Sequence, residues 1–375
     1  CPKQAIVMQP DTEGFLYPKV NGEKCISCDL CEKRCPAGRE MPEHHARLLG
    51  AQAKDEALRR QSSSGGVFTL LAREVIRRGG VVFGAAFGEN MRVEHVGAFD
   101  ETELSGMRGS KYVQSDATDA IGNAVSLLKR EIPVLFSGTP CQINGLLAAL
   151  GNTKSDKLLT VDFVCHGVPS PGVFASYLVE LEKKHGSRVS AYTFRDKRLG
   201  WKNFSAVATF ENGEEHAGTQ TTEPYLYGFL QNLYLRPSCH SCSQLRGERH
   251  AADITLADLW GAEKICPERD DDTGLSFVMA NTQKGRQALE QSGMQLNAFS
   301  IGNFEGMTRA NPSLLVPVKP HEKRAAFFKR YQKHGFESER VMKLLRGPNA
   351  TQRAMKRVLH LPIGAMRRIK NRISK

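Results

Sequence analysis

The chain has 375 residues, 40% of them hydrophobic and 25% charged, with ten cysteines and a net charge of +12. This length predicts about two or three domains. The longest apolar run, Val81 to Phe87, is far too short to cross a bilayer, and no apolar signal segment is visible. Residues 319–375 carry 17 Lys/Arg against 3 Asp/Glu, a balance of +14 that leaves −2 for the remainder, so the body is not built as a nucleic-acid binder.

The first 45 residues are organised around Cys25-Ile-Ser-Cys28-Asp-Leu-Cys31-Glu-Lys-Arg-Cys35-Pro36. The spacing C-x2-C-x2-C-x3-C-P is the one with which bacterial-type ferredoxins hold [4Fe–4S] clusters. Three thiolates wrap one cube and the fourth, turned away by the proline, ligates another. A zinc knuckle or a disulfide knot would leave the third cysteine and the proline unexplained. Such thiolates require a reducing compartment, which predicts a cytoplasmic protein. The chain opens on Cys1-Pro2, the way such a motif ends. Cys1 is therefore expected to complete the cluster of Cys25, Cys28 and Cys31, with Cys35 serving a cluster of a preceding motif. A processed terminus with an incidental Cys-Pro is the alternative. Ala5 to Met8 and Tyr17 to Val20 read as short strands around a turn at 11–14, and residues 46–61 as a polar linker helix.

The body then alternates strands and helices. Ser62-Ser63-Ser64-Gly65-Gly66 precedes a helix with Val67, Leu70, Leu71 and Val75 at helical spacing. A Ser/Gly turn opening a helix offers N–H groups, hydroxyls and the positive dipole end, suited to the phosphates of a nucleotide cofactor. An ordinary serine cap explains the pattern equally well. Gly80 to Phe87 reads as a buried strand. Arg108-Gly109-Ser110-Lys111-Tyr112 sets two cations around a Gly-Ser turn, a second candidate phosphate contact or a plain surface loop. A helix is expected from Asp116 to Arg130.

Two strand–loop–helix units follow. Pro133 to Phe136 runs into Cys141, and Leu158 to Val164 runs into Cys165. Loops of this kind gather at the carboxyl ends of strands, where ligands bind in α/β sheets. Helices at Ile143–Leu150 and Gly172–Lys184, a meander over 188–219 with an Asn212-Gly213 turn, and an aromatic core helix at 223–235 come next. Cys239 and Cys242 form a C-x2-C half-site that needs two more ligands. Cys141 and Cys165 are the unassigned pair in similar loops, so the four thiolates form a second cluster site. Two buried structural cysteines are the alternative. His166 and His240 neighbour these positions, and Cys266 is left over. Asp253 to Gly261 reads as a strand entering a tight turn, with Asp258 and Trp260 lining a pocket or capping and packing. A strand at Ser276–Ala280 and a helix at Lys284–Gln291 close the body. The basic extension reads as broken helices, and Met355 to Lys375 carries a basic amphipathic signal suited to a membrane surface.

The ordered set of Ser-Ser-Gly-Gly (63–66), Arg-Gly-Ser-Lys-Tyr-Val (108–113), Gly-Thr-Pro-Cys-Gln (138–142), Cys-His-Gly (165–167), C-x2-C (239–242) and the 253–261 segment resembles the beta subunits of deazaflavin-coenzyme (F420) hydrogenases and dehydrogenases, bacterial type with an N-terminal ferredoxin segment. The resemblance spans residues 1–320. It implies FAD contacted by Ser63, Ser64, Gly65, Gly66, Arg108, Gly109, Ser110, Lys111 and Tyr112, and a body [4Fe–4S] cluster on Cys141, Cys165, Cys239 and Cys242. The expected fold is α+β or α/β: a ferredoxin-like segment (1–45), a mixed flavin- and cluster-binding domain (46–320) and a basic helical extension (321–375). The expected function is an iron–sulfur flavoprotein oxidoreductase passing electrons between clusters and FAD, and to or from an organic substrate or deazaflavin-like coenzyme. The alternatives are an electron-transfer subunit serving a redox partner protein, and a zinc-stapled binding protein. The expected location is the cytoplasm, with the extension touching the inner membrane face and no specific nucleic acid bound.

Overall fold

The computed structural model describes residues 1–36, 42, 44–151, 156–244, 247, 249–302 and 304–346. The amphipathic segment Met355–Lys375 lies outside the described residues. Among those described, no helix is long and apolar enough to cross a membrane.

The chain opens with an antiparallel hairpin, β1 (Ile6–Pro10) and β2 (Leu16–Val20), and one helical turn, α1 (Leu30–Lys33). Asp11 shapes the hairpin turn, its Oδ1 accepting from the N–H groups of Glu13 and Phe15 at 3.0 and 2.8 Å. Ala5 and Phe15 are the buried hydrophobic side chains of this segment.

The first half of the body runs β3 (Arg47–Ala53), α2 (Glu56–Gln61), α3 (Val67–Arg77), β4 (Val81–Phe87), β5 (Val93–Ala98), α4 (Glu101–Met107), α5 (Thr118–Lys129), β6 (Val134–Ser137), α6 (Pro140–Leu150), β7 (Leu158–Phe163) and α7 (Pro171–His185). A meander β8 (Val189–Asp196), β9 (Ser205–Phe210) and β10 (Glu215–Thr219) makes a separate three-stranded sheet, followed by α8 (Pro224–Leu230). The second half runs β11 (Ile254–Asp258), α9 (Ala262–Ile265), β12 (Ser276–Ala280), α10 (Gln283–Gln291), β13 (Leu296–Ser300), α11 (Phe304–Ala310), α12 (Arg324–His334) and α13 (Ser338–Arg346).

Eight strands form the main sheet in the order β13-β3-β12-β11-β7-β6-β4-β5, with β4, β6, β7 and β11 parallel. The parallel strands are hydrophobic on both faces because helices cover both. Alternation divides them. Val82 and Leu135 face α3 and α4, while Val81, Phe83, Val134 and Phe136 face α5 and α6. A third core joins the small sheet to α7, α8, α12 and α13, burying Phe327, Phe328 and Val341 of the basic helices and Phe336 between them. The mixed α/β architecture agrees with the expected fold class.

The expected linker helix at 46–61 is half strand. Residues 47–53 form β3, paired with both β12 and β13, and only 56–61 are helical. Leu49, Ala51 and Ala53 bury one face at period two, and the Phe299 ring lies over Gly50. Pairing on both edges overrode the local helix preference of the alanines and leucines.

Candidate functional site: four thiols and two loops at the carboxyl ends of the strands

Cys141 and Cys165 follow the carboxyl ends of adjacent parallel strands, β6 and β7. Thr139 caps α6 through a capping box with Gln142, and Pro140 starts the helix, so Cys141 sits in its first turn rather than in a loop. Cys165 opens the segment before α7. That segment binds the chain ahead of Cys239: Arg236 N–H donates to Val168 C=O at 2.9 Å, Ser170 N–H to Tyr234 C=O at 3.2 Å, and Pro169 bridges Leu235. The turn at 237–241 is thereby hung beside 165–170, where a Cβ on Gly167 would come within 3.3 Å of the Cys239 Cβ.

All four thiols feel one another electrostatically: Cys141 with Cys242, Cys165 with the other three, and Cys239 with Cys141 and Cys242. Burial, followed by this mutual repulsion, pushes the Cys165 thiol well up, and burial pushes Cys239 to about 11. Burial also raises Cys141, against a hydrogen bond from Thr139 that favours its thiolate. Four soft donors that repel as thiolates need a cation among them before all can ionise. Among the described residues, no group of three or more His, Cys, Asp or Glu converges as a single-ion site. A single zinc would draw its sulfurs to about 2.3 Å from the metal. Cys266, left over in the sequence, is a packing residue of the core around Trp201 and Phe277.

The two candidate phosphate loops meet. Ser110 N–H donates to Ser63 Oγ at 2.6 Å, and the two hydroxyls lie 2.9 Å apart. Gly65 and Gly66 are buried rather than presented: Gly65 N–H donates to Ser276 Oγ at 2.9 Å, and a Cβ there would sit 2.4 Å from Ala51 C=O. The reachable part of the turn is Ser63 and Ser64. Arg108 pairs with Glu101 and donates to Gln61 Oε1 at 3.1 Å. Lys111 Nζ donates to the carbonyls of Gly106 and Arg108 at 2.8 and 2.9 Å, and burial brings its pKa down to about 7. Tyr112 stacks on Phe229 at 4.5 Å, and its carbonyl accepts from Tyr225 OH at 2.9 Å.

Two residues that the sequence did not single out hold the turn from the small sheet. Arg195 lies near the end of β8 and Lys197 just past it. Arg195 donates to Ser63 C=O at 3.1 Å, forms a bidentate pair with Asp258 at 3.0 and 3.2 Å, and reaches Tyr112 OH at 3.2 Å. Lys197 Nζ donates to the carbonyls of Arg59, Ser64 and Thr273 at 2.7, 3.1 and 2.6 Å. Burial, with Arg195 and Arg59 nearby, lowers its pKa to about 7 against Asp258 and Asp271. Asp258 also accepts from Trp201 Nε1 at 2.9 Å, and Trp201 stacks on Trp260 at 4.8 Å, so the 258–260 residues both pack and pair. The signal for Arg195 and Lys197 was weak, because they lie in a run of four charged residues, Arg195 to Arg198, that reads as a solvated strand end.

Residues 133–298 match the family model for the coenzyme F420 hydrogenase/dehydrogenase beta subunit, C terminus. This stretch belongs to the F420 hydrogenase/dehydrogenase beta-subunit family. A chain of the F420-reducing [NiFe] hydrogenase complex from Methanosarcina barkeri, studied by xenon derivatisation, superposes with a TM-score of 0.48 at 17% identity, covering 81% of this chain and 92% of that one. No curated protein matches. The four body thiols, Arg195, Lys197 and Asp258 all fall inside the F420-family stretch, whereas the 62–66 and 108–112 loops precede it.

The N-terminal cysteines sit differently. Cys1, Cys25, Cys28, Cys31 and Cys35 are all exposed free thiols. Their segment docks on the elements that carry the body thiols. Arg34 donates to Ala148 C=O near the end of α6 at 2.9 Å, and Ser170 Oγ to Glu13 C=O at 2.5 Å. Arg236 donates to Leu16 C=O at 2.9 Å and lies 3.9 Å over the Tyr17 ring.

Proposed function

We propose that this chain is an iron–sulfur flavoprotein oxidoreductase that moves electrons between [4Fe–4S] clusters and FAD, and to or from an organic substrate or deazaflavin-like coenzyme. The observation that carries the reading is the gathering of Cys141, Cys165, Cys239 and Cys242, from three separate parts of the chain, past the carboxyl ends of β6 and β7. In this reading the four thiols hold the body cluster. Ser63, Ser64, Ser110 and Lys111 take the flavin's phosphates, with Arg195 and Lys197 fixing the turn from behind. Lys111 and Lys197 spend their ammonium groups on backbone carbonyls, so a phosphate anion would offset buried positive charge. A bound flavin supplies the exchange between hydride pairs and single electrons. Cys25, Cys28 and Cys31 with Cys1 hold an outer cluster on the exposed face.

That exposure also favours a second reading, an electron-transfer subunit that serves a redox partner and has no substrate of its own. The test is the visible spectrum of protein purified without oxygen, with iron, sulfide, zinc and released flavin quantified. Cluster absorption with stoichiometric FAD is the expected result. Iron without flavin selects the electron-transfer subunit, and zinc without colour overturns both readings.

A further inference from the structure

The Thr139 hydroxyl stands between two acceptors, 3.0 Å from Cys141 Sγ and 3.1 Å from Gln142 Oε1. A chain of hydrogen bonds decides how it is used. Ser137 C=O can only accept, so His95 Nε2, 2.9 Å away, carries the ring hydrogen. His95 Nδ1 is then a lone pair, and the Ser115 hydroxyl at 3.0 Å must donate to it. Ser115 Oγ in turn accepts from Gln142 Nε2 at 2.9 Å, which turns Gln142 Oε1 toward Thr139. That oxygen is already occupied by the Thr139 N–H at 2.9 Å. His95 keeps this polarity across the physiological range: it is 7% exposed, stacks on Phe136 at 5.4 Å, and burial holds it neutral with a pKa of about 4. While Cys141 is a thiol either atom can supply the hydrogen between Thr139 and the sulfur. Once the sulfur is ionised only the hydroxyl can, and the charged acceptor outcompetes the occupied amide oxygen.

We propose that Thr139, oriented by the Gln142–Ser115–His95 chain, donates a hydrogen bond to the Cys141 thiolate and thereby raises the reduction potential of the iron–sulfur group held by the four body thiols. The inference rests on the cluster reading above and deepens it. The couple adds one electron to the thiolate-bound group, with no bond broken and no atom or proton transferred. Part of the added charge spreads onto the sulfurs, so a hydrogen bond to Sγ is stronger in the reduced state, and hydrogen bonding to sulfur is one of the levers that set such potentials. Thr139 is a positioning and tuning residue rather than a catalytic one.

The test is an anaerobic dithionite titration of the full chain followed by electron paramagnetic resonance, the body couple being the signal lost in Cys165→Ser. Thr139→Val keeps the shape and removes the hydroxyl. It should shift the reduction equilibrium about tenfold toward the oxidised form, about 59 mV for a one-electron couple, with iron content unchanged. Thr139→Ser should stay near wild type. Ser115→Ala, which touches no thiol, should shift the potential in the same direction by less. An unchanged potential in iron-replete Thr139→Val overturns the inference. Should that variant lose iron, an unchanged potential in Ser115→Ala overturns it instead. A wild-type chain without iron overturns the cluster reading, not the hydrogen-bond chain.

Discussion

The two cysteine sets of this chain are built in opposite ways. The N-terminal set is compact in sequence and thin in structure: five exposed thiols in a segment whose regular structure is one hairpin and one helical turn, with Ala5 and Phe15 as buried hydrophobic anchors. The body set is scattered over a hundred residues and assembled by the fold, on the ends of β6 and β7 and a turn hung against them. Local spacing can specify a cluster whose shape comes largely from its metal. A site gathered by a sheet is largely formed by the core beneath it.

The largest expected effect separates the two sets. Cys165→Ser should remove about four irons per chain and leave the N-terminal signal, whereas Cys28→Ser should do the reverse. Chelating all iron should leave the body folded, because the cores around Val82 and Phe136 involve no ligand thiol, while hydrogen exchange over residues 1–36 rises sharply. Collapse of the whole body on chelation would refute the contrast.

Next in size is the support behind the proposed anion loops. The side chains of Arg195 and Asp258 are 4% and 16% exposed. Arg195→Met leaves the Asp258 carboxylate without its bidentate partner and Ser63 C=O without a donor. Breaking such a buried pair costs about 3–5 kcal/mol, to be read from denaturant unfolding, and the variant should purify without FAD. Full stability in Arg195→Met would mean that the pair is better solvated than its burial implies.

The contrast also explains what the sequence could convey. The strands Val81–Phe87 and Val134–Ser137 and the placing of Cys141 and Cys165 past strand ends were all legible, because apolar runs and the loops that follow them are local signals. β3 was not, since Leu49, Ala51 and Ala53 become a strand face only once β12 and β13 flank them. Arg195 and Lys197 were hidden for a related reason: nothing near position 195 announces that Ser63, 132 residues earlier, will lie against it. Gly65 and Gly66 were legible as a turn, but their burial against β3 and β12 was not. The contact of Ser63 with Ser110 joined two segments that had each been ambiguous alone.

A smaller effect follows from pH. Lys111 and Lys197 lie near pKa 7 because burial disfavours their charge. A bound phosphate would favour the charged form and raise both values, so binding takes up protons wherever the free site has lost them, above about pH 7. FAD affinity should therefore be flat below pH 6 and fall by up to about tenfold per linked proton for each unit above 7. Fluorescence titration from pH 6 to 9 reads this directly. An affinity that rises with pH would place the phosphates elsewhere.

The smallest expected effect tests how firmly the N-terminal segment is docked. Arg324 of α12 pairs with Glu13 of the hairpin turn and also donates to Leu235 C=O at 3.0 Å, on the wall that leads to Cys239. The side chains are 16% and 20% exposed, so the pair is sheltered but not dry. A double-mutant cycle with Glu13→Gln and Arg324→Met should give a coupling of about 0.5–1 kcal/mol that shrinks with added salt. The same variants should speed hydrogen exchange in β1 and β2 without altering β6 or β7. Because Arg324 also holds Leu235, its single substitution should cost more than that of Glu13. Equal costs would make the ion pair, rather than the carbonyl contact, the link between the hairpin and the wall of the thiol site.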